Sequence, residues 1–194
     1  MARTAAAGTR ERILDVATAL FYARGVRAVG MSQIIGAAGC GKNLLYGHFP
    51  SKAELVTAYM EQFRTLREQV VEQALRAAGD DPADRLVALV EEVAARAAEP
   101  RFRGCPFRNY LTEFPDPDDA AGRLARRYLR ESRAAVDELA GRLPVADPAG
   151  LAERVWLILD GLYAGTTRAM DERAGETAVA LVRETLGHAL AEAP

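Results

Sequence analysis

Residues 32–54, SQIIGAAGCGKNLLYGHFPSKAE, hold two short helical patterns joined by a turn centred on Gly39, followed at once by a proline and a third helix start. Met31, Ile34, Ile35 and Ala38 give an apolar face about two turns long, and Gly39 follows in the place of a helix C-terminal glycine. In residues 42–49, Leu45 and Phe49 stand four apart and turn inward together, which leaves Lys42, Asn43, Leu44, Tyr46, Gly47 and His48 on the outer side. A helix this short is not stable without its neighbours. Pro50 closes it, and Ser51-Lys52-Ala53-Glu54 is an S-x-x-E capping box that opens a longer helix.

The flanking sequence supplies those neighbours. Thr9 is read as the N-cap of a first helix, because Ile13, Val16, Ala17, Leu20 and Phe21 follow at helical spacing until Gly25 stops it. The helix that starts at the capping box carries Leu55, Val56, Tyr59, Phe63, Leu66 and Val70 to about Ala78. Asp81-Pro82 opens a fifth helix with Leu86, Leu89, Val90 and Val93, and Pro100 ends it. Residues 101–119, RFRGCPFRNYLTEFPDPDD, are broken by Gly104, Pro106, Pro115 and Pro117 around one short helix from Phe107 to Phe114. Helix 7 is expected over Pro117–Arg142, helix 8 from Pro148 to about Met170, and helix 9 over Glu176–Leu190. No stretch alternates with period two, so the expected fold is all-α, about nine helices. It comprises an N-terminal three-helix helix-turn-helix head (residues 1–52) and a larger helical body (53–194).

Charge divides at the same place. The whole chain has a net charge of -2, yet residues 1–52 hold seven Lys or Arg against Glu11 and Asp15, a net of +5 against -7 for the remainder. A basic head on an acidic body is the asymmetry expected where one end meets a polyanion. The only two lysines, Lys42 and Lys52, flank the outward helix. In a helix-turn-helix the N-terminal end of the second helix reaches base edges, and here that end presents Lys42, Asn43 and Leu44. Small residues at Ala37, Ala38 and Gly39 permit the steep crossing of the two helices.

Other functions find little support. Cys40 and Cys105 lack CxxC spacing or a histidine cluster, and the two histidines, His48 and His188, are far apart. No metal or phosphate-loop signature is present, and no cofactor is expected. The first residues lack a signal-peptide core and no apolar run reaches membrane-span length, so a cytoplasmic protein without membrane contact is expected. The rival readings are a helical protein-interaction module and a small-molecule-binding enzyme without DNA binding.

Residues 9–56 resemble the DNA-binding head of the TetR family of bacterial transcriptional regulators. The likeness rests on Ile13-Leu14-x-x-Ala17-x-x-Leu20-Phe21, Gly25, Ile34-Ile35-x-Ala37-Ala38-Gly39 and Leu45-Tyr46-x-His48-Phe49-Pro50-Ser51-Lys52. It implies a ligand-responsive regulator, in this family usually a repressor, that binds double-stranded operator DNA as a homodimer and is released by a small-molecule effector. It also implies phosphate contacts for Tyr46, His48 and Lys52. Gly30 and Gly41 depart from the family, which often caps these two helices with Ser or Thr, and Leu44 stands where a polar residue is frequent. A leucine there can touch a thymine methyl but cannot hydrogen-bond a base.

The body holds the only Trp and four of the six Phe, enough to enclose a mostly apolar pocket. Its expected walls are Leu89, Val93, Phe102, Phe107, Tyr110, Phe114, Tyr128, Trp156, Leu159 and Tyr163, with Asn109, Glu113 and Arg168 as polar contacts. Helices 8 and 9 carry more apolar residues than one core needs: Leu151, Val155, Leu159, Leu162 and Tyr163, then Val179, Leu181, Val182, Leu186 and Leu190. The surplus is expected to join two copies as a four-helix interface.

Overall fold

The computed structural model describes residues 2–115, 118–164 and 173–192, with the backbone alone for 2–7. Among these residues it is all-α, in nine helices: α1 Ala2–Arg24, α2 Met31–Ala38, α3 Lys42–His48, α4 Lys52–Ala77, α5 Pro82–Ala97, α6 Pro106–Glu113, α7 Ala120–Gly141, α8 Pro148–Ala164 and α9 Arg173–Ala191.

Local chemistry explains most of the boundaries. Gly25 ends α1 at φ +86° and Gly39 ends α2 at φ +58°, both in the left-handed region that a side chain disfavours. Asp81 caps α5 by accepting from the Ala83 N–H at 2.7 Å, with Pro82 in the first turn. Asp119 caps α7 through the Gly122 N–H at 2.7 Å. Two starts differ from expectation. Thr9 is not a cap, because α1 runs back to Ala2 through an alanine-rich stretch of high helix propensity. Helix 7 begins at Ala120, where the Asp119 carboxylate can reach an orphan amide; the expected start at Pro117 and the stretch of helix 8 beyond Ala164, Arg168 included, lie outside the described residues.

By its contacts the chain divides into two compact units, Met1–Thr65 with Pro106–Tyr128, and Leu66–Cys105 with Leu129–Pro194. The cut falls elsewhere than the domain boundary read from the motif after Lys52, because the first half of α4 packs into the first unit. There Ile13, Ala17, Phe21, Ile34, Leu45, Phe49, Leu55, Tyr59 and Met60 are buried. Tyr59 meets Phe21 and Phe63 at ring-centroid distances of 5.6 and 5.4 Å. Val16 and Leu20 are only half-buried, and Leu66 is half-exposed while its neighbour Arg67 is buried.

The second unit packs Leu86, Val90 and Val93 of α5, Val136 and Leu139 of α7, Leu151, Val155, Leu159 and Leu162 of α8, and Val182 and Leu186 of α9 into one core. Arg67 lies inside this unit and survives burial because Glu92 takes it in a two-pronged ion pair, Nη2 to Oε2 at 2.6 Å, with the Tyr163 hydroxyl 3.4 Å away.

Candidate nucleic-acid interface

The outward helix is held from beneath. Leu45 is fully buried and Phe49 nearly so, and they pack in one core with Val29, Ile34 and Ala38. The Phe49 N–H closes α3 onto the Leu45 carbonyl at 2.8 Å, and the Arg10 guanidinium of α1 lies 4.8 Å from the centre of the Phe49 ring. With one side pinned, α3 presents Lys42, Asn43, Leu44, Tyr46 and Gly47 to solvent and His48 in part. Leu44 is 45 % exposed.

The caps of α2 and α3 stand on Gly30 and Gly41, both extended, and neither supplies a side-chain bond. At Gly30 a half of a capping box remains, since Gln33 Oε1 accepts from the Gly30 N–H at 2.8 Å. The first half of the expected box at Ser51 is present, since Ser51 Oγ accepts from the Glu54 N–H at 3.1 Å; the Glu54 carboxylate turns back to the Ser51 hydroxyl, which donates to it at 3.3 Å. Lys52 is therefore fixed in the first turn of α4, where free amides favour an anion. Partial burial lowers the pKa of its ammonium below the ordinary lysine value, and the negative charge of Glu113 works against that shift.

Lys42, Asn43, Leu44, Tyr46, His48 and Lys52 thus fall together on α3 and the first turn of α4. Two residues of this region escaped the sequence reading. Arg10 precedes the apolar pattern of α1, and nothing in its own neighbourhood announces a partner thirty-nine residues on. Glu113, expected as a polar ligand contact, is instead spent on the link between α1 and α2, where it accepts from the Val26 and Arg27 amides.

The expected pocket residues are drawn from both units. Phe107, Tyr110, Phe114 and Tyr128 belong to the first unit, where Phe107 stacks on Tyr128 at 4.0 Å and Tyr110 meets Phe114 at 4.8 Å. The Tyr110 hydroxyl donates to Asp119 Oδ2 at 2.5 Å; burial first, then that bond and the charges of Asp119 and Glu113, raise its pKa well above the ordinary phenol range. Leu89, Val93, Phe102, Trp156, Leu159 and Tyr163 belong to the second unit. Val93 and Leu159 are plain core there, whereas Leu89, Phe102, Trp156 and Tyr163 are half-buried, with Phe102 stacked on Tyr163 at 6.3 Å.

Among the described residues of the second unit, two surface cavities stand out that are lined by none of the ten. One, of about 630 Å³, runs between α8 and α9 past Arg154, Leu157, Ile158, Gly161, Leu181 and Thr185. The other, about 460 Å³, lies between α5 and α9 beside Glu91, Ala94, Val179 and Arg183. On α8 and α9 the core stripe is Leu151, Val155, Leu159, Leu162, Val182 and Leu186, and the leucines left exposed are Leu157 at 60 %, Leu181 at 47 % and Leu190 at 37 %. Among the described residues no cluster of three or more His, Cys, Asp or Glu could hold a metal ion, and no helix is long and apolar enough to cross a membrane.

Comparison with known proteins agrees with this geometry. Residues 13–59 match the family model of bacterial regulatory proteins, tetR family. The HTH-type transcriptional regulator LmrA of Bacillus subtilis is 33 % identical over 89 residues, which are 45 % of this chain and 47 % of that protein. The HTH-type transcriptional activator FasR of Mycolicibacterium smegmatis is 40 % identical over 82 residues, 42 % of this chain and 37 % of that one. The chain thus spans less than half the length of these curated relatives. Solved structures extend the likeness along the whole chain. A TetR-family transcriptional regulator from Streptomyces coelicolor superposes with a TM-score of 0.86 at 27 % identity, over 94 % of this chain and 96 % of that one. A structure described as that of a TetR transcriptional regulator from Streptomyces avermitilis does so with a TM-score of 0.73 at 30 % identity, over 93 % and 97 %. A helix-turn-helix of this register, and a likeness that runs through both units, place the chain in the tetR family of bacterial regulatory proteins.

Proposed function

We propose that this protein is a ligand-responsive transcriptional regulator, a repressor, that binds a palindromic operator as a homodimer and is released by a small, mostly apolar molecule. The observation that carries the reading is the pinned α3 helix, with Lys42, Asn43, Leu44 and Tyr46 facing solvent beside Lys52. Leu45 and Phe49 anchor its inner side, so the outer side is offered as a rigid surface to a major groove. Tyr46, His48 and Lys52 serve phosphates and set register, while Lys42, Asn43 and Leu44 meet base edges. Leu44 reads a thymine methyl and gives the site an apolar element.

The homodimer is joined through α8 and α9, where Leu157 and Leu181 line one groove and leave an apolar surface without cover from their own chain. Two-fold pairing there would present two α3 helices to half-sites about 34–36 Å apart. The effector meets the half-buried aromatics Phe102, Trp156 and Tyr163 together with Leu89, beside the Arg67–Glu92 pair. Release follows from a higher affinity of the effector for the arrangement that does not fit DNA. Repression is taken from the family's usual mode; among the relatives, the Rhodococcus jostii protein KstR2 is described as a repressor and FasR as an activator.

Selection of genomic DNA fragments by the purified full chain tests the reading. An inverted repeat recovered in the bound fragments supports it, and recovery with no shared sequence overturns it. A screen of chemically varied small molecules for a change in Trp156 fluorescence or thermal stability tests the effector.

A further inference from the structure

Helix α6 comes after α5 in sequence, yet its last residue is built into the turn that feeds the helix-turn-helix. Glu113 Oε1 accepts from the Val26 N–H at 3.1 Å and Oε2 from the Arg27 N–H at 2.7 Å. The Arg27 guanidinium answers with a bond to the Glu113 carbonyl oxygen at 2.6 Å and lies 4.9 Å from the Phe114 ring centre. Space for the carboxylate comes from Gly25, where a Cβ would sit 2.8 Å from Glu113 Oε1. Two consecutive amides that neither α1 nor α2 can satisfy are thus satisfied by a carboxylate from residue 113, and only Ala28 and the buried Val29 separate them from Gly30, the cap of α2. The same carboxylate acts on the Lys52 ammonium at the start of α4.

We propose that Glu113 is a positioning residue for DNA binding: it fixes the α1–α2 link, and through it the start of α2 and the placement of α3. The proposal rests on the reading of α3 and Lys52 as the DNA surface. It makes α6 a part of the DNA-binding unit, in agreement with the grouping of Pro106–Tyr128 with Met1–Thr65. A bond to a charged acceptor is worth more than a neutral one, and here two such bonds hold a link of five residues, Gly25–Val29.

The test compares wild type, Glu113→Ala and Glu113→Gln as full chains, on a selected operator and on a scrambled duplex, with the amide resonances of Val26 and Arg27 followed by NMR. Glu113→Ala is expected to weaken operator binding by about tenfold or more, to weaken scrambled-duplex binding less, and to move both resonances and speed their exchange. Glu113→Gln, which keeps one acceptor oxygen but no charge, falls between. A role through charge alone would predict the reverse for Glu113→Gln, tighter binding once a negative group near the phosphates is gone, and that result overturns the proposal. So do unchanged discrimination, or an equal loss on both duplexes by a folded Glu113→Ala; if Glu113→Ala does not fold, Glu113→Gln decides by the same criteria. A wild type that fails to discriminate sinks the DNA-binding reading instead, and the Val26 and Arg27 resonances still report whether Glu113 holds the link.

Discussion

Gly25 and Gly39 both stand at positive φ, +86° and +58°, but alanine should cost more at the first than at the second. At Gly39 nothing lies within 4 Å of an added Cβ, so Gly39→Ala bears only the left-handed penalty, about 1 kcal/mol. At Gly25 the new methyl meets Glu113 Oε1 at 2.8 Å and Cδ at 3.1 Å, so the carboxylate has to leave the Val26 and Arg27 amides. Charge-assisted bonds of this kind are worth about 1.5–3 kcal/mol each. One of these two is solvent-exposed and both amides can turn to water, so the pair adds about 1–2 kcal/mol. Gly25→Ala should then cost about 2–3 kcal/mol in urea unfolding of the full chain, read as a shift in midpoint at constant m. In a Glu113→Ala background its cost should drop to that of Gly39→Ala, because the group it displaces is gone, which makes the coupling visible in a double-mutant cycle. Equal costs for the two glycines, or an excess at Gly25 that persists without Glu113, would refute the reasoning.

Three further outcomes follow from the same geometry. Lys52→Ala should weaken binding to all duplexes alike and reduce the slope of log affinity against log salt by about one contact; an unchanged slope removes Lys52 from the interface. Leu157→Glu combined with Leu181→Glu should leave the fold intact, since both side chains are about half exposed, and should yield monomers in analytical ultracentrifugation; persistence of a dimer moves the interface off α8 and α9. Tyr110 should ionise above the ordinary phenol range in a phenolate absorbance titration. Its raised pKa means that its contribution to stability is full below pH 10 and is lost as pH rises above that value. Asp119→Asn should lower the Tyr110 pKa while keeping the α7 cap, and ionisation of Tyr110 along with the exposed phenols would count against the buried bond.

The helix-turn-helix was legible because its determinants are local. Gly39 needs a left-handed backbone, Ser51 caps the Glu54 amide within one turn, and Leu45 and Phe49 share a helix face at fixed spacing. What escaped was decided across long separations. Glu113 reads as one more carboxylate in an irregular stretch, and only the folded chain brings it to the Val26 amide, 87 residues away. The start of α1 escaped for the opposite reason: Thr9 is a good cap in isolation, but the alanines before it propagate helix with little cost. On α8 and α9 the apolar positions were evident and their partners were not. Leu157, passed over in the sequence, is the most exposed large apolar residue described, while Leu162 and Leu186, not told apart from the surplus by periodicity, are core. Periodicity tells how many apolar residues a helix carries, and packing decides which of them remain uncovered.

The central claim, that α3 and the first turn of α4 form a DNA-reading surface, is tested most directly by titrating the full chain onto its selected operator and onto a scrambled duplex over a series of salt concentrations. The account predicts a Kd on the order of 10⁻⁸ M or tighter for the operator at physiological salt, at least about 10³-fold tighter than for the scrambled duplex. It also predicts a linear fall of log affinity with log salt for both. Equal affinity for the two duplexes, or binding indifferent to salt, would contradict it.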